Sequence, residues 1–226
     1  MTPRTGRSIV DGGIYHVMVR SNNRQPLFPH DADCRRYLEL LASAAREHGL
    51  LLFHYALMPD HVHLILEAPI GRSLSRAMHS LNLAYALHYR KRYAYHGHLW
   101  RGRFKSLRLS PGSDLPEHGR YVELHPVRNG LVTDPANYRW TSYRPYADGA
   151  ADPVIAPHTW YQHLGPGDAE RRERYRQFIL QGLNASPTGP IVKFSPPGRP
   201  RKSSSLIRLQ GHVSFVGLLS RLSRIW

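Results

Sequence analysis

The chain has 226 residues, of which 41% are hydrophobic and 21% charged, a composition suited to one good-sized domain with an appendage. It has no apolar run of membrane-spanning length and no signal-peptide core, and its single cysteine, Cys34, excludes an internal disulfide and a cysteine-based zinc site. Lysine and arginine outnumber aspartate and glutamate by 31 to 16, a formal net charge of +15 that favours a polyanionic partner. We therefore expect a cytoplasmic protein without a membrane segment.

The first part of the chain is predicted to contain three strands and one helix. In order they are a strand at 13–20, a helix from Asp31 or Asp33 to about His48, a strand at 50–58 and a strand within 58–69, MPDHVHLILEAP. Gly49 ends the helix, because glycine readily adopts the left-handed conformation that follows a helix C-terminus. A tight turn at Pro59 and Asp60 separates the second and third strands.

The next elements are a helix from Ser73 to about Tyr95, a strand within 102–109, a short helix from Ser113 or Asp114, and a helix at 168–183. The short helix must weaken at His125, because a proline follows it. The order strand-helix-strand-strand-helix-strand is the ferredoxin-like arrangement, so we predict an α+β fold with a four-stranded antiparallel sheet and helices packed on one face. Residues 186–205, rich in Pro, Gly, Ser, Lys and Arg, are typical of a linker.

Two histidines lie two residues apart in the third predicted strand. Alternate side chains of a strand share a face, so His61 and His63 point one way while Val62, Leu64 and Leu66 point into the core. Two imidazoles about 7 Å apart along a strand can converge on one divalent cation. Two polar residues on an ordinary sheet face would give the same pattern, so this spacing leaves both interpretations open.

A second cluster of candidate residues lies at 119–132, GRYVELHPVRNGLV. If the segment is helical, Tyr121 and His125 are one turn apart on one face, which places a phenol beside a third potential metal ligand. Tyrosine is a poor nucleophile at its free pKa of about 10, but a strong one once deprotonated near a metal-bound phosphate. Spacing alone does not distinguish Tyr121 from a core tyrosine, since the chain has 13 tyrosines.

Five motifs in order resemble the REP-associated tyrosine transposases, which belong to the single-tyrosine HUH nucleases. These motifs are YHVMVRSNNRQPLF, ALMPDHVHLIL, HLWRGRFKS, YVELHPVRNGLV and YRWTSY. The resemblance implies the same ferredoxin-like fold and covers about residues 8–147. We accordingly expect a HUH transposase domain at 8–147, a helical C-terminal extension at 148–185 and a basic Pro/Gly/Ser-rich tail at 186–226.

The resemblance also implies roles for individual residues. His61 and His63 match the metal-binding HUH pair, and Tyr121 matches the nucleophile. The third ligand, four residues after the tyrosine, is typically glutamine or asparagine; here it is His125, which favours manganese or a softer metal over magnesium. The implied activity is that of an endonuclease and strand transferase on single-stranded DNA, through a 5′-phosphotyrosine intermediate. Mg²⁺ or Mn²⁺ is the expected cofactor, with no small-molecule cofactor.

The basic residues are segregated along the chain. Residues 68–113 contain nine Lys or Arg and no acidic residue, and residues 193–226 contain seven and none. This pattern favours a phosphate backbone, and exposed aromatic rings among the cations can stack on unpaired bases. Tyr85 and Tyr89 follow the apolar stripe of their helix and are interpreted as core. The predicted DNA-binding residues are Arg20, Arg72, Arg76, Arg90, Lys91, Arg92, Trp100, Arg101, Arg103, Lys105, Arg128, Arg199 and Arg201.

The basic tail contains PPGRPRK at 196–202, which resembles the GRP core of an AT-hook. Arg199 and Arg201 would then enter an A·T-rich minor groove, and a flexible basic linker is the alternative interpretation. Residues 213–226 can form a short basic amphipathic helix. The family's ligand is a palindromic repeat folded into a hairpin, so we expect single-stranded or hairpin DNA as the partner of a monomer, with a dimer as the alternative.

Two other functions remain open from the sequence. His125 in place of the usual amide is compatible with a domesticated protein that binds nucleic-acid hairpins without cutting them. A small zinc hydrolase could use His61, His63 and His125, although that function leaves the segregation of charge unexplained.

Overall fold

The structure is a computed structural model that describes residues 9–110, 112 and 114–184. Within them one sheet is formed by four strands: β1 (Gly13–Arg20), β2 (Leu51–Met58), β3 (His61–Ala68) and β4 (Lys105–Leu109). Their order across the sheet is β2-β3-β1-β4, and every neighbouring pair is antiparallel. The predicted α+β class and ferredoxin-like four-stranded sheet are confirmed.

The described part of the chain also contains seven α-helices. They are α1 (Asp31–His48), α2 (Gly71–Tyr93), α3 (Asp114–Glu123), α4 (His125–Arg128), α5 (Tyr143–Ala147), α6 (Thr159–Gln162) and α7 (Asp168–Asn184). The break between α3 and α4 falls at Leu124, one residue before the position at which the helix was predicted to weaken. Every helix in these ranges is too short or too polar to span a bilayer.

The start of α1 differs from the prediction in its N-cap. His30, rather than Asp31 or Asp33, occupies that position, and the Asp33 carboxylate accepts the backbone N–H of His30 at 3.0 Å. Asp33 therefore stabilises the helix from within its first turn, where a negative charge also interacts favourably with the helix dipole. Gly49, with a φ of 67°, ends the helix as predicted.

Helix α2 begins at Gly71 instead of the predicted Ser73. The carboxylate of Asp11 accepts the backbone N–H of Gly71 at 2.7 Å, which satisfies one of the free donors of a helix N-terminus. The helix ends at Tyr93, close to the predicted end, because Ala94 adopts the left-handed conformation with a φ of 47°.

One face of the sheet packs against α1 and α2. Val62, Leu64 and Leu66 of β3 point into this core, as the alternation of side chains predicted. Tyr85 and Tyr89 of α2 are buried in the same cluster, so their interpretation as core residues is confirmed.

The opposite face carries His61, His63 and Ile65, and it is covered as well. Leu115 and Val122 of α3 pack against Ile65 in a second apolar cluster. The sequence predicted helices on one face only. An apolar row on the second face also has to be buried, and α3 provides the cover. This packing places α3 directly over the strand histidines.

The C-terminal helices form a third apolar cluster. Tyr143 and Tyr146 of α5 pack with Tyr175 and Ile179 of α7, and Leu124, between α3 and α4, belongs to the same group. The domain bounds expected at 147/148 and 185/186 stay predictions. The AT-hook-like segment at 196–202 and the amphipathic segment at 213–226 lie outside the described residues.

Candidate active site

Three histidines meet on the face of the sheet that α3 covers. His61 and His63 project from β3, and His125 is the first residue of α4. Their ligand nitrogens lie within 4.8 Å of one another, and Nε2 of His61 is 2.9 Å from Nε2 of His125. The structure therefore brings together the three residues that the sequence predicted as metal ligands, and the group could hold a metal ion.

The three imidazoles are held in their neutral form. Burial lowers the pKa of His125 to about 4, and it holds the pKa of His63 well below the ordinary value of about 6.5. Burial also lowers the pKa of His61, although the neighbouring Asp60 carboxylate opposes this shift. The rings are thus unprotonated at pH 7, and neutral imidazole is the form that coordinates a cation.

The strand histidines each have a hydrogen-bond partner for one ring nitrogen. Oδ1 of Asp60 lies 2.5 Å from Nδ1 of His61, and Nε2 of His16 lies 2.8 Å from Nδ1 of His63. Such partners fix the orientation of a ligating ring and direct its other nitrogen towards the ligand. The donor set fits a divalent cation, and three nitrogen ligands suit manganese, iron or zinc better than magnesium.

Tyr121 lies beside the three histidines, as the resemblance predicted. Its ring centre is 5.2 Å from that of His125 and 5.9 Å from that of His63. The guanidinium carbon of Arg128 is 5.8 Å from the centre of the same ring. Burial raises the pKa of Tyr121, and the positive charges of Arg128 and Arg20 oppose that rise. A half-buried phenol beside three clustered imidazoles and a guanidinium group is suited to nucleophilic chemistry.

Two buried histidines near the site were missed by the sequence reasoning. His16 on β1 contacts His63, and it also contacts His118 on α3, with 2.9 Å between their Nδ1 atoms. No sequence spacing could have found the second contact, since the two residues are 102 positions apart. The contact of Asp60 with His61 was missed too, although the two residues are adjacent in the sequence.

Three of the predicted DNA-binding residues cluster near the end of β1. Arg20 is paired with His61 across the sheet, and its Nε is 3.9 Å from Oδ2 of Asp60. The backbone N–H of Arg101 donates to the carbonyl oxygen of Arg20 at 3.0 Å. Lys105 is paired with Met18 of β1 across the sheet, and burial together with the charges of Arg101 and Arg20 lowers its pKa. They provide positive potential beside the histidines.

Apart from Arg128, which lies on α4 beside Tyr121, the other predicted DNA-binding residues in the described ranges lie on α2 and in the loop after it. Six are exposed there: Arg72, Arg76, Arg90, Lys91, Arg92 and Arg103. Arg92 is 3.3 Å from the buried carboxylate of Asp33. Trp100 is half-buried, and its indole N–H donates to the carbonyl oxygen of Asn82 at 2.8 Å, which ties it to α2. Arg199 and Arg201 lie outside the described ranges, and the part of all these residues in DNA binding stays a prediction.

Comparison with known families identifies the chain. The family described as Transposase IS200 like matches residues 9–125, more than half of the 226 residues. The chain belongs to the IS200-like transposases. The resemblance read from the sequence motifs is thereby confirmed, and the matched segment of this transposase contains both strand histidines and Tyr121 and ends at His125. No curated protein matches the chain.

One of three similar solved structures shares the fold of this chain. The structure of a REP-associated tyrosine transposase bound to a REP hairpin aligns with a TM-score of 0.55 and 19% identity, over 70% of this transposase and 93% of that chain. A candidate transposase from Deinococcus radiodurans R1 aligns with a TM-score of 0.38 and 24% identity, over 54% and 96% of the two chains. The tRNA(His) guanylyltransferase of Saccharomyces cerevisiae aligns with a TM-score of 0.42 and 10% identity, over 81% and 85%.

Proposed function

We propose that this transposase is a metal-dependent endonuclease and strand transferase that acts on single-stranded DNA at hairpin-forming repeats. The observation that carries the proposal is the position of Tyr121 beside three neutral histidines supplied by the same chain. The ring centre of Tyr121 is 5.2 Å from His125 and 5.9 Å from His63. A phenol, a cation site and flanking arginines are the groups that a tyrosine-mediated phosphoryl transfer requires.

The proposed reaction is a transesterification. Oη of Tyr121 attacks the scissile phosphorus, a tyrosine–phosphate bond forms and the bond from phosphorus to the 3′ oxygen breaks. The 3′ oxygen gains one proton and the phenol loses one, so the products are a 5′-phosphotyrosine and a free 3′-hydroxyl. Because the phosphodiester energy is kept in the covalent link, the hydroxyl can reverse the step and join strands without ATP.

His61, His63 and His125 would hold the cation. When bound, a divalent cation offsets the negative charge that develops on the phosphate oxygens. The chain's own contribution is to keep the three rings neutral, to place Tyr121 beside them and to stabilise the phenolate through Arg128 and Arg20. Manganese is the expected cation in preference to magnesium, since all three ligands are nitrogens.

Hairpin DNA is the proposed ligand. The three cations near the end of β1 and the exposed arginines of α2 supply the positive charge that a folded single strand requires. The structure that shares this fold with a TM-score of 0.55 was solved with a REP hairpin, which supports the same class of ligand here. The target sequence would then be a short palindromic repeat.

The proposal is tested with single-stranded hairpin oligonucleotides labelled at one end or the other, incubated with the full chain and Mn²⁺. A 5′-phosphotyrosine keeps the 3′-terminal label on the protein in a denaturing gel and releases the 5′-labelled strand. EDTA should abolish the adduct. Retention of the 5′ label instead would contradict the proposed polarity of the cut.

A non-cleaving hairpin-binding protein is the second candidate, because His125 replaces the amide that the family typically carries. Hairpin binding without any adduct, in Mn²⁺ and in Mg²⁺ alike, would support this function. The same result would exclude the nuclease.

A further inference from the structure

A row of three hydrogen-bonded imidazoles joins His63 to His16 and His118. Nε2 of His16 is 2.8 Å from Nδ1 of His63, and Nδ1 of His16 is 2.9 Å from Nδ1 of His118. The exposed fractions of His16, His63 and His118 are 0%, 2% and 4%. This row of imidazoles therefore links a proposed ligand on β3, through His16 on β1, to α3, the helix that carries Tyr121.

The three rings of this row lie almost entirely out of contact with water, and such burial disfavours a charged imidazole, so each ring is neutral. A neutral imidazole carries one N–H and one free lone pair, and a hydrogen bond between two rings needs one of each. Three rings joined by two hydrogen bonds therefore allow only two arrangements of the N–H protons, which we call the first and the second order.

In the first order, His63 donates from Nδ1 to His16, and His16 donates from Nδ1 to His118, so that Nε2 of His63 keeps its lone pair. In the second order the donors are reversed, and Nε2 of His63 carries the proton. A protonated nitrogen cannot bind a cation, so only the first order makes His63 a ligand. In the first order the N–H of His118 is therefore on Nε2, and in the second order it is on Nδ1.

We propose that His16 is a positioning residue, which accepts the hydrogen bond of His63 and thereby selects the tautomer of His63 that binds a cation. His118 fixes the direction of the two hydrogen bonds, because it accepts the N–H of His16. This inference rests on the metal site of the proposed function. Because His16 acts through His63, its loss lowers the affinity for the cation.

The first test is a titration of the full chain with Mn²⁺ alone, followed by electron paramagnetic resonance. His16→Leu removes the acceptor and should weaken Mn²⁺ binding by about 10- to 100-fold. His16→Gln keeps an acceptor oxygen and should restore part of the affinity. His158→Asn, which replaces a half-buried histidine at the N-cap of α6 and keeps a capping acceptor, should bind as the wild type does.

The outcomes of the titration separate this inference from the metal site itself. Wild-type affinity in a folded His16→Leu variant, with its thermal midpoint checked, overturns the role of His16 and leaves the metal site standing. A wild-type chain that binds no Mn²⁺ overturns both the metal site and the inference.

A second measurement needs no substitution and covers the case in which His16→Leu does not fold. Ring nitrogens of the ¹⁵N-labelled wild-type chain are observed by NMR with bound Zn²⁺, a diamagnetic probe. The expected tautomers are Nδ1–H on His63 and His16 and Nε2–H on His118. An Nε2–H tautomer of His16 in the Zn²⁺-loaded chain overturns the inference.

Discussion

His125 supplies an imidazole where related transposases typically carry an amide side chain. Its Nε2 is 2.9 Å from Nε2 of His61, close enough for both to ligate one ion. An amide would offer a hard oxygen at this position, whereas imidazole is a softer nitrogen donor. The choice of metal is therefore expected to depend on this one residue.

We predict that His125→Gln shifts the preference from manganese towards magnesium. The ratio of the Mg²⁺ and Mn²⁺ concentrations that give half-maximal adduct should change on the order of tenfold, equivalent to about 1.4 kcal/mol. The measurement is a pair of metal titrations of adduct yield on one hairpin. An unchanged ratio would show that His125 is not a ligand.

Helix α3 is held in place by the buried carboxylate of Glu123, which lies between Tyr121 and His125 in the sequence. Oε1 of the fully buried Glu123 accepts from the Ser142 hydroxyl at 2.5 Å and from the Tyr175 hydroxyl at 3.4 Å, and it is 2.9 Å from Nδ1 of His54. One carboxylate thus ties α3 to β2, to the start of α5 and to α7. The family match ends at residue 125. Residues that follow it, at the start of α5 and on α7, therefore help to hold α3 and Tyr121 in place.

The contact between α3–α4 and α7 is close. A Cβ atom at Gly182 would lie 2.7 Å from Cδ of Arg120 and 2.8 Å from Cδ1 of Leu124, so a larger residue would require these two side chains to shift. Arg128 donates to the carbonyl oxygen of Gly182 at 3.2 Å, and the Arg120 guanidinium lies 4.7 Å from the centre of the Phe178 ring. We therefore expect α7 to influence catalysis only by holding α3 and α4 in position.

We predict that Glu123→Gln slows formation of the adduct more than it weakens hairpin binding. The loss of a charged acceptor for buried donors should also lower the free energy of unfolding by about 1.5–3 kcal/mol. Adduct rates, hairpin affinity and urea denaturation measure the three effects. Glu173→Gln on α7 is the control, because its exposed ion pair with Arg176 contributes little. Equal losses of rate and affinity would contradict the positioning role of Glu123.

The four strands and the longer helices could be predicted from the sequence, but the short helices α5 and α6 and the contacts between distant elements could not. Period-two alternation placed His61 and His63 on one face, and helical spacing brought Tyr121 towards His125. The partners of His16 and Glu123 depend on the register of the sheet and on α3 crossing its second face. Both are set by packing between distant segments, which no local spacing encodes.

At the scale of the whole described structure, the exposed cations of α2 and those of α7 differ in their acidic neighbours. The exposed cations of α2 have few acidic neighbours in sequence, whereas those of α7 are paired with acids on their own helix, as Arg171 is with Asp168 and Arg174 with Glu170. Cations that are already paired release fewer counterions when DNA binds. The two helices should therefore contribute differently to affinity.

We predict that Arg90→Ala with Lys91→Ala reduces the steepness of the salt dependence of hairpin binding. Loss of two phosphate contacts should reduce the slope of log K against log salt by about 1.5–2. Fluorescence anisotropy over a range of salt concentrations measures that slope. The charge-matched variant Arg171→Ala with Arg174→Ala should keep the wild-type slope. An equal decrease in both variants would indicate an effect of net charge alone.

The buried histidines also make the fold sensitive to acid. The pKa of His16 is lowered to about 3 and that of His125 to about 4, whereas in the unfolded chain both lie near 6.5. Between these values the unfolded chain binds more protons, so the free energy of unfolding falls as the pH drops from about 6.5 to about 4. Urea midpoints of the metal-free protein should decrease over this range. A constant midpoint would contradict neutral burial.

The most direct test of the central claim compares Tyr121→Phe with Tyr138→Phe in the adduct assay. Tyr138 packs against the same apolar cluster as Tyr121, but its hydroxyl donates to the carbonyl oxygen of Leu57 at 2.6 Å. We predict that Tyr121→Phe abolishes the Mn²⁺-dependent adduct and retains hairpin binding, while Tyr138→Phe still forms the adduct. A persisting adduct in Tyr121→Phe would show that another residue is the nucleophile.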